Sequence, residues 1–353
     1  MAAAGHPRNP AAWLKALGVV ILLAVAGVLV EMVVGVNRYS DFGAQVDHTF
    51  WMIVLIAALL LGGIVVFMVY CLVVYRHDRV EVPVQVEGNW WLEFWWTVIP
   101  VVIVLGMFWA GYEGFRNMRT VPKNAMKVKV LARMWSWEFE YENGVHSNVL
   151  KVPVGTPVRL TLTSADVIHS FYIPHFRVKE DCVPGREGYM WFKADEVDTY
   201  TVMCAEYCGD GHAKMMTNVV SLPREAFEEW LRSAAEEKKA MEEPVAEELS
   251  PEEKERKMAA AGEKLYNVKG CAACHSVDGS PRLGPSFKGI YGKKVRVMTG
   301  GKAREVLVDD AYLTKSMKTP TADVVEGFQP VMPPQNLTDA EIEKINTFIK
   351  SLK

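Results

Sequence analysis

The chain has 353 residues, long enough for two or three domains, and half of them are hydrophobic, including 11 tryptophans. A net charge of −3 argues against a general nucleic-acid binder. Four of the six cysteines fall in two tight clusters, Cys204 with Cys208 and Cys271 with Cys274, which suggests metal and cofactor attachment rather than a disulfide framework.

The apolar excess lies in the first third. Met1 to Lys15 is short and weakly basic through Arg8 and Lys15, and an apolar run from Ala16 to Val36 follows, broken by Glu31. This run reads either as a signal peptide cleaved near Ala24-Val25-Ala26 or as a retained spanning helix. Apolar residues continuing to Val36 favour retention. Glu31 at mid-bilayer costs roughly 2.5–3.5 kcal/mol, so it belongs near the outer edge or against protein. Phe50 to Tyr75 and Phe94 to Tyr112 are further apolar runs, each long enough to cross a bilayer in contact with lipid. Arg76-His77-Asp78-Arg79 lies between them, so the positive-inside rule puts 76–92 in the cytoplasm and everything after Tyr112 outside. Trp90, Trp91, Trp95 and Trp96 fit an interfacial aromatic belt. The expectation is an N-terminal segment over 1–48 and a transmembrane helical hairpin over 49–113.

Residues 114–223 change character. Val128 to Val130, Trp135 to Tyr141, Val158 to Thr163, Tyr200 to Met203 and Thr217 to Leu222 alternate with period two between Pro and Gly breaks. Short strands at this spacing predict an all-β sandwich or barrel. The last two strands are joined by Cys204-Ala-Glu-Tyr-Cys208-Gly-Asp-Gly-His212-Ala-Lys-Met215. Two thiols, an imidazole and a thioether on one short loop form a soft donor set that suits copper. Zinc is the rival through its Cys and His ligands, although a thioether serves it poorly. Met216 competes with Met215, but the spacing favours Met215. His169 and His175, on preceding strands, are candidates for a further imidazole, with His169 favoured by its apolar setting after Asp166. Cys71 and Cys182 read as simple buried thiols.

Residues 224–258 are rich in Glu, Lys and Ala and contain Pro244 and Pro251, which suggests a charged linker of two solvated helical pieces. A third unit over 259–353 is expected to be all-α. Its Cys271-Ala-Ala-Cys274-His275 is a c-type haem attachment signature, with His275 as proximal ligand. A thioredoxin-like redox pair is the alternative. Met332, in Gly327-Phe-Gln-Pro-Val-Met-Pro-Pro334, is the candidate distal ligand because flanking prolines fix its backbone; Met317 and Met298 are rivals. Thr338-Asp-Ala-Glu341 opens a last amphipathic helix as a capping box.

Several stretches together resemble subunit II of haem-copper cytochrome c oxidases: Leu92-Glu93-Phe-Trp-Trp-Thr97-Val-Ile-Pro100, Asp166-Val-Ile-His169-Ser-Phe, Pro184-Gly-Arg186 and the Cys204–Met215 loop. The likeness covers roughly 48–222, and Leu283-Gly-Pro-Ser-Phe287 after the haem motif extends it to class I cytochrome c over 259–353. A cytochrome c domain fused behind such a subunit resembles the caa3-type oxidases of bacteria. The resemblance implies a cupredoxin domain holding a binuclear CuA centre. Cys204 and Cys208 would bridge two coppers, His169 and His212 would each bind one, Met215 would be a weak ligand, and Glu206 would offer its backbone carbonyl. It further implies magnesium near the Glu206 side chain, Glu93 at the entrance of a proton channel, and Trp135, beside Trp137, as an electron conduit. His/Met ligation raises a haem's potential, which suits a donor to copper.

The implied role is the subunit through which electrons enter a terminal oxidase, with no catalytic residue for oxygen chemistry in this chain. Electrons would pass from haem c to CuA and on to haem a of subunit I, where oxygen is reduced beside haem a3 and CuB with proton translocation. Implied partners are subunits I and III and an external donor such as a cytochrome c or another respiratory complex. The implied location is the bacterial inner membrane, multi-pass, with both cofactor domains on the periplasmic face. The rival readings are a nitrous-oxide reductase, which would need a further catalytic domain, a quinol oxidase subunit, which would lack the copper ligands, and a membrane-anchored carrier or chaperone.

Overall fold

The computed structural model describes residues 40–78, 87–242, 250–335 and 337–352, with 18–19, 26–27, 29–30 and 82 as isolated positions. Glu31, Arg8, Lys15 and Arg79, with most of the Ala16 to Val36 run, lie outside the described residues. The chain divides into two units, Met1–Thr120 and Val121–Lys353.

Among its described residues, the first unit has two helices long and apolar enough to cross a membrane, α1 (Asp41–Val74) and α2 (Trp90–Arg119). The first starts well before Phe50 because Ser40 caps it, its side chain accepting from the Gly43 amide. Residues 41–48, expected to precede the hairpin, are therefore helix. Asn89 caps α2 in the same way, and Arg116 and Arg119 occupy its last turn, where the helix dipole favours positive charge. No residue of α2 is buried, although its surface carries Trp90, Trp95, Ile99 and Phe108. A helix apolar on all sides needs lipid or partner helices around it.

The second unit begins with ten strands: β1 (Met126–Arg133), β2 (Ser136–Tyr141), β3 (His146–Ser147), β4 (Leu150–Pro153), β5 (Pro157–Ser164), β6 (His169–Ile173), β7 (Val178–Cys182), β8 (Gly188–Lys193), β9 (Thr199–Cys204) and β10 (Met216–Leu222). They form two five-stranded sheets, β3-β2-β1-β5-β8 and β4-β10-β9-β6-β7, in a cupredoxin-like sandwich. β1 with β5 and β4 with β10 pair in parallel, and the other neighbours are antiparallel. In β5 the alternation is complete: Val158, Leu160 and Leu162 are fully buried, and the intervening Arg159, Thr161 and Thr163 are not. Phe139, Phe171, Phe192 and Tyr200 fill the space between the sheets.

The chain then enters α3 (Arg224–Glu242). This piece of the expected solvated linker is packed on the sandwich. Phe227 is buried, the Trp230 ring lies 5.2 Å from that of Tyr141, and Lys151 Nζ sits 4.8 Å over Trp230. The next helix, α4 (Pro251–Val268), opens on a Ser250/Glu253 capping box with Pro251 in its first turn.

With α5 (Asp310–Lys318) and α6 (Asp339–Ser351), α4 frames the helical cytochrome region, and Thr338 and Glu341 form the expected capping box. Its core holds Val308, Leu313, Met317, Ile342, Ile345 and Ile349. One addition departs from an all-α unit: a three-stranded sheet of β11 (Lys294–Thr299), β12 (Lys302–Leu307) and β13 (Val324–Val325). Its hairpin closes through the two-residue turn Gly300-Gly301, with Thr299 opposite Lys302.

Candidate metal centre and haem cleft

Strand pairing brings the soft donors together. Met203 and Met216 face each other across β9 and β10, and the Cys204 amide donates to the Met215 carbonyl, so the intervening loop is pinched shut at its base. Phe171 of β6 pairs with Cys204, and the Ala205 amide donates to the Ser170 carbonyl. That placement sets His169, at the start of β6, against the loop.

The two sulfurs lie 3.8 Å apart, and each has its own imidazole: His169 Nδ1 is 3.9 Å from Cys204 Sγ, and His212 Nδ1 is 3.5 Å from Cys208 Sγ. Met215 Sδ is 3.8 Å from Cys208 Sγ, and the Glu206 carbonyl oxygen is 3.2 Å from Cys204 Sγ. The donor atoms of His169, Cys204 and Cys208 lie within 4.8 Å of one another, and His212 reaches in beside them, closest to Cys208 and also hydrogen-bonded to Cys204. Met215 is fully buried and Met216 is exposed. His175 points elsewhere, its ring 5.7 Å from that of Tyr200.

His169 is itself held. Its Nε2 is 2.7 Å from Asp166 Oδ1, and Asp166 also accepts from the Met134 and Val167 amides. A carboxylate behind an imidazole fixes which nitrogen faces the metal. Burial works against ionisation of Cys204, but hydrogen bonds with His169, the backbone and His212 outweigh it and pull the thiol down to about 6. Burial and the neighbouring Cys204 push Cys208 up to about 12. The pair therefore holds one negative charge readily and releases its second proton when a cation arrives.

Trp135 covers the loop, its indole Nε1 donating to the Cys208 carbonyl at 3.0 Å. A Cβ at Gly211 would overlap the Trp135 ring, so only glycine lets the loop pass beneath it. Trp137 lies edge-on to His169, with ring centres 6.2 Å apart. The Glu206 carboxylate is 3.4 Å from Lys179 Nζ. Glu93 lies exposed in the first turn of α2. Cys182 is fully buried opposite His169 on β7, and burial raises its thiol to about 12. Cys71 lies within α1.

In the helical part, Cys271 to Ala273 form a short turn that continues to His275. His275 Nδ1 donates to the Pro285 carbonyl at 2.8 Å, Phe287 stacks on the ring with centres 4.4 Å apart, and the Tyr266 hydroxyl donates to the His275 carbonyl. Nε2 is thereby left for an iron, and burial keeps the imidazole neutral. The Leu283–Phe287 stretch, flagged by resemblance alone, supplies this support.

Two open-mouthed clefts flank His275. Cys274, His275 and Met332 line both. Met317 lines one from within the core, and Met298 lines neither. Arg133, from β1, also lines the first cleft, and its Nε is buried with no hydrogen-bond partner. A haem carboxylate is a group that would satisfy such a donor. Two free thiols, an oriented imidazole and a mostly apolar wall fit a covalent haem.

Sequence reasoning missed Asp166 as the support of His169, although its spacing of three residues was a signal. It also missed Glu138, a buried carboxylate on β2 with Arg133, His146 and Lys269 around it.

Residues 145–222 match the family model for the cytochrome c oxidase subunit II periplasmic domain, and 259–353 match the model for cytochrome c. β1 and β2, with Trp135, lie outside both matches. The chain is 29% identical over 320 residues to cytochrome c oxidase subunit 2 of Alkalihalophilus pseudofirmus, covering 86% of each chain. It is 30% identical over 301 residues to the subunit 2 of Bacillus sp. (strain PS3), covering 79% of each. A solved periplasmic domain of cytochrome oxidase subunit II from Bradyrhizobium japonicum is 31% identical, with a TM-score of 0.33, and covers 33% of this chain and 99% of that one.

Proposed function

The chain belongs to the cytochrome c oxidase subunit 2 family, with a cytochrome c domain behind the copper domain, and we propose that it carries a binuclear CuA centre fed by its own haem c. Membership makes it the part of a terminal oxidase complex through which electrons enter, associated with other oxidase subunits. When bound, haem c and the copper pair would supply one-electron carriers, and in this proposal electrons would go from haem c to CuA and on to haem a of subunit I for oxygen reduction coupled to proton movement.

The observation that carries this reading is a close sulfur pair with two imidazoles against it, His169 nearest Cys204 and His212 nearest Cys208. One tetrahedral ion would draw all four donors to a single point. Two ions would be held by Cys204, Cys208, His169 and His212, with Met215 and the Glu206 carbonyl available as further donors. The residues keep reorganisation small. His169 is locked by Asp166, Met215 is fully buried, and the loop is closed at its base by Cys204 and Met215.

Topology follows the same reading: α1 and α2 cross the inner membrane, and both cofactor domains stand on the periplasmic side. Exposed Val167, Ile168, Tyr207 and Met216 rim the copper loop, an apolar surface suited to cover by subunit I. Glu206 would lend its carboxylate to magnesium at that junction, and Glu93 would serve a proton channel at the cytoplasmic end of α2. Subunit III and an external cytochrome c or respiratory complex complete the set.

The purified complex is expected to hold haem a and an integral subunit I, and twice as much copper as haem iron within this chain. Cys204→Ser should keep haem c and lose the mixed-valence copper signal. Equal copper and iron, zinc in place of copper, or isolation without subunit I would overturn the proposal.

A further inference from the structure

Glu138 breaks the rule of its own strand. Trp137, Phe139 and Tyr141 of β2 point into the sandwich, so Glu138 should point to water, yet its side chain is only 7% exposed. What covers it is the cytochrome region. Lys269 Nζ, two residues before the first haem cysteine, is 3.6 Å from Glu138 Oε1 and 3.6 Å from Glu341 Oε1 of α6. Arg133 Nη2 donates to Glu138 Oε2 at 2.8 Å, and its Nη1 donates to Gln335 of the cytochrome region at 3.3 Å. His146 Nδ1 is 2.8 Å from Glu138 Oε1. Charges from both parts thus alternate across the seam, and the inner ones are nearly dry.

The seam lies beside the bridge between the two cofactor sites. A Cβ at Gly270 would overlap the Ser136 hydroxyl, so the backbone leading into Cys271 touches the residue next to Trp135. Trp135, Ser136, Gly270, Ala272 and Ala273 share the wall of one crevice. From the copper loop the contacts run Cys208 carbonyl, Trp135 indole, Ser136, Gly270 and Cys271.

We propose that Glu138, Arg133 and Lys269 are positioning residues, a buried ionic clasp that fixes the haem-attachment turn against Trp135 and Ser136 in one transfer-competent pose. This rests on the reading of the chain as a haem-to-CuA relay. One electron leaves ferrous haem, which becomes ferric, and reduces the copper pair; no bond forms or breaks and no proton is required. Buried ion pairs add little net stability compared with apolar contacts, but a dry pair tolerates few alternative geometries, and position is what this step needs. The connecting segment keeps the two parts at high effective concentration, and the clasp selects their orientation.

The test uses the full-length subunit in its complex, loaded with copper and haem, as wild type, Glu138→Gln, Lys269→Gln and Lys269→Arg. Amide hydrogen exchange is followed over 133–138 and 269–274, and haem-to-copper transfer is timed after photoreduction of haem c. Both Gln variants should raise exchange on both faces at least tenfold and slow transfer at least tenfold, with haem and copper spectra unchanged. Lys269→Arg should restore both. Unchanged exchange in the two Gln variants defeats the clasp. Raised exchange with wild-type transfer shows that the seam is not the transfer pose, and also defeats it. The exchange measurement does not depend on the electron route, so an error in the relay reading would be seen separately in the copper content.

Discussion

Because the Asp166 carboxylate holds His169 through Nε2, the other nitrogen of the ring has one direction to face, toward Cys204. Asp166→Asn keeps the shape but removes the charge that orients the imidazole. Copper retention under chelator competition should fall about 10–100-fold, the usual cost of losing such a support. Unchanged retention would mean that packing alone holds His169. At the haem, Met332 is the methionine that lines both clefts, and Met332→Ala should abolish the methionine-to-iron charge-transfer band. If the band survives, the ligand is Met317, which faces one of the same clefts. At this scale the sequence was most legible where donors are close in the chain: Cys204 to Met215 and Cys271 to His275 need only a loop and a turn to converge. Spacing along the loop favours Met215 over Met216, and Met215 is the buried one of the two, whereas Met216 begins β10 on its exposed side.

Among the elements, α3 shows how composition misleads. Its Glu and Lys residues read as a solvated tether, but Phe227 and Trp230 recur three positions apart and dock on Tyr141. Phe227→Ala should cost about 3 kcal/mol, the low end for a buried phenylalanine, and expose the amides of 224–242 to exchange while leaving the copper spectrum intact. Protection equal to wild type would count against the docking. The added hairpin of β11 and β12 is tied to α5 through Asp323, which accepts from Lys315, Arg304 and the Thr299 hydroxyl. Burial alone would raise its pKa, but those three donors hold the carboxylate well below the usual range. The stability it contributes is complete above about pH 4 and is lost as pH falls through the depressed value. Acid should therefore lower the melting temperature of the wild-type cytochrome region more steeply than that of Asp323→Asn, and parallel acid limbs would contradict this. Period-two alternation in Lys294 to Thr299 was present in the sequence, but a helical expectation for the unit hid it.

In the molecule as a whole, the strands, the two long apolar helices and the helical cytochrome region each follow from their own periodicity and caps, whereas the contact between the sandwich and the cytochrome region does not. Glu138 looks like an ordinary outward residue of an alternating strand, and only the cytochrome region above it explains its burial. Ionic strength separates a docked relay from a tethered one. Raising it from about 0.01 M to about 0.15 M shortens the screening length from about 30 Å to about 8 Å. Transfer inside the chain should change little, because the inner pair of Arg133 and Glu138 is nearly dry, whereas reduction by an external cytochrome should respond. A steep salt dependence of the internal step would mean that the two parts meet by diffusion. The shared wall of the haem cleft also bears on biogenesis. Arg133 and Met134 of the β-sandwich line the same cleft as Cys271 and His275. A chain that has not received its porphyrin must close that seam over a hollow, and the missing contacts weaken the very surface that the copper domain relies on. Prosthetic-group insertion then acts as a quality checkpoint: Cys271→Ala with Cys274→Ala should shorten the lifetime of the whole subunit in cells, copper domain included, and a normal lifetime would show that the two halves mature independently.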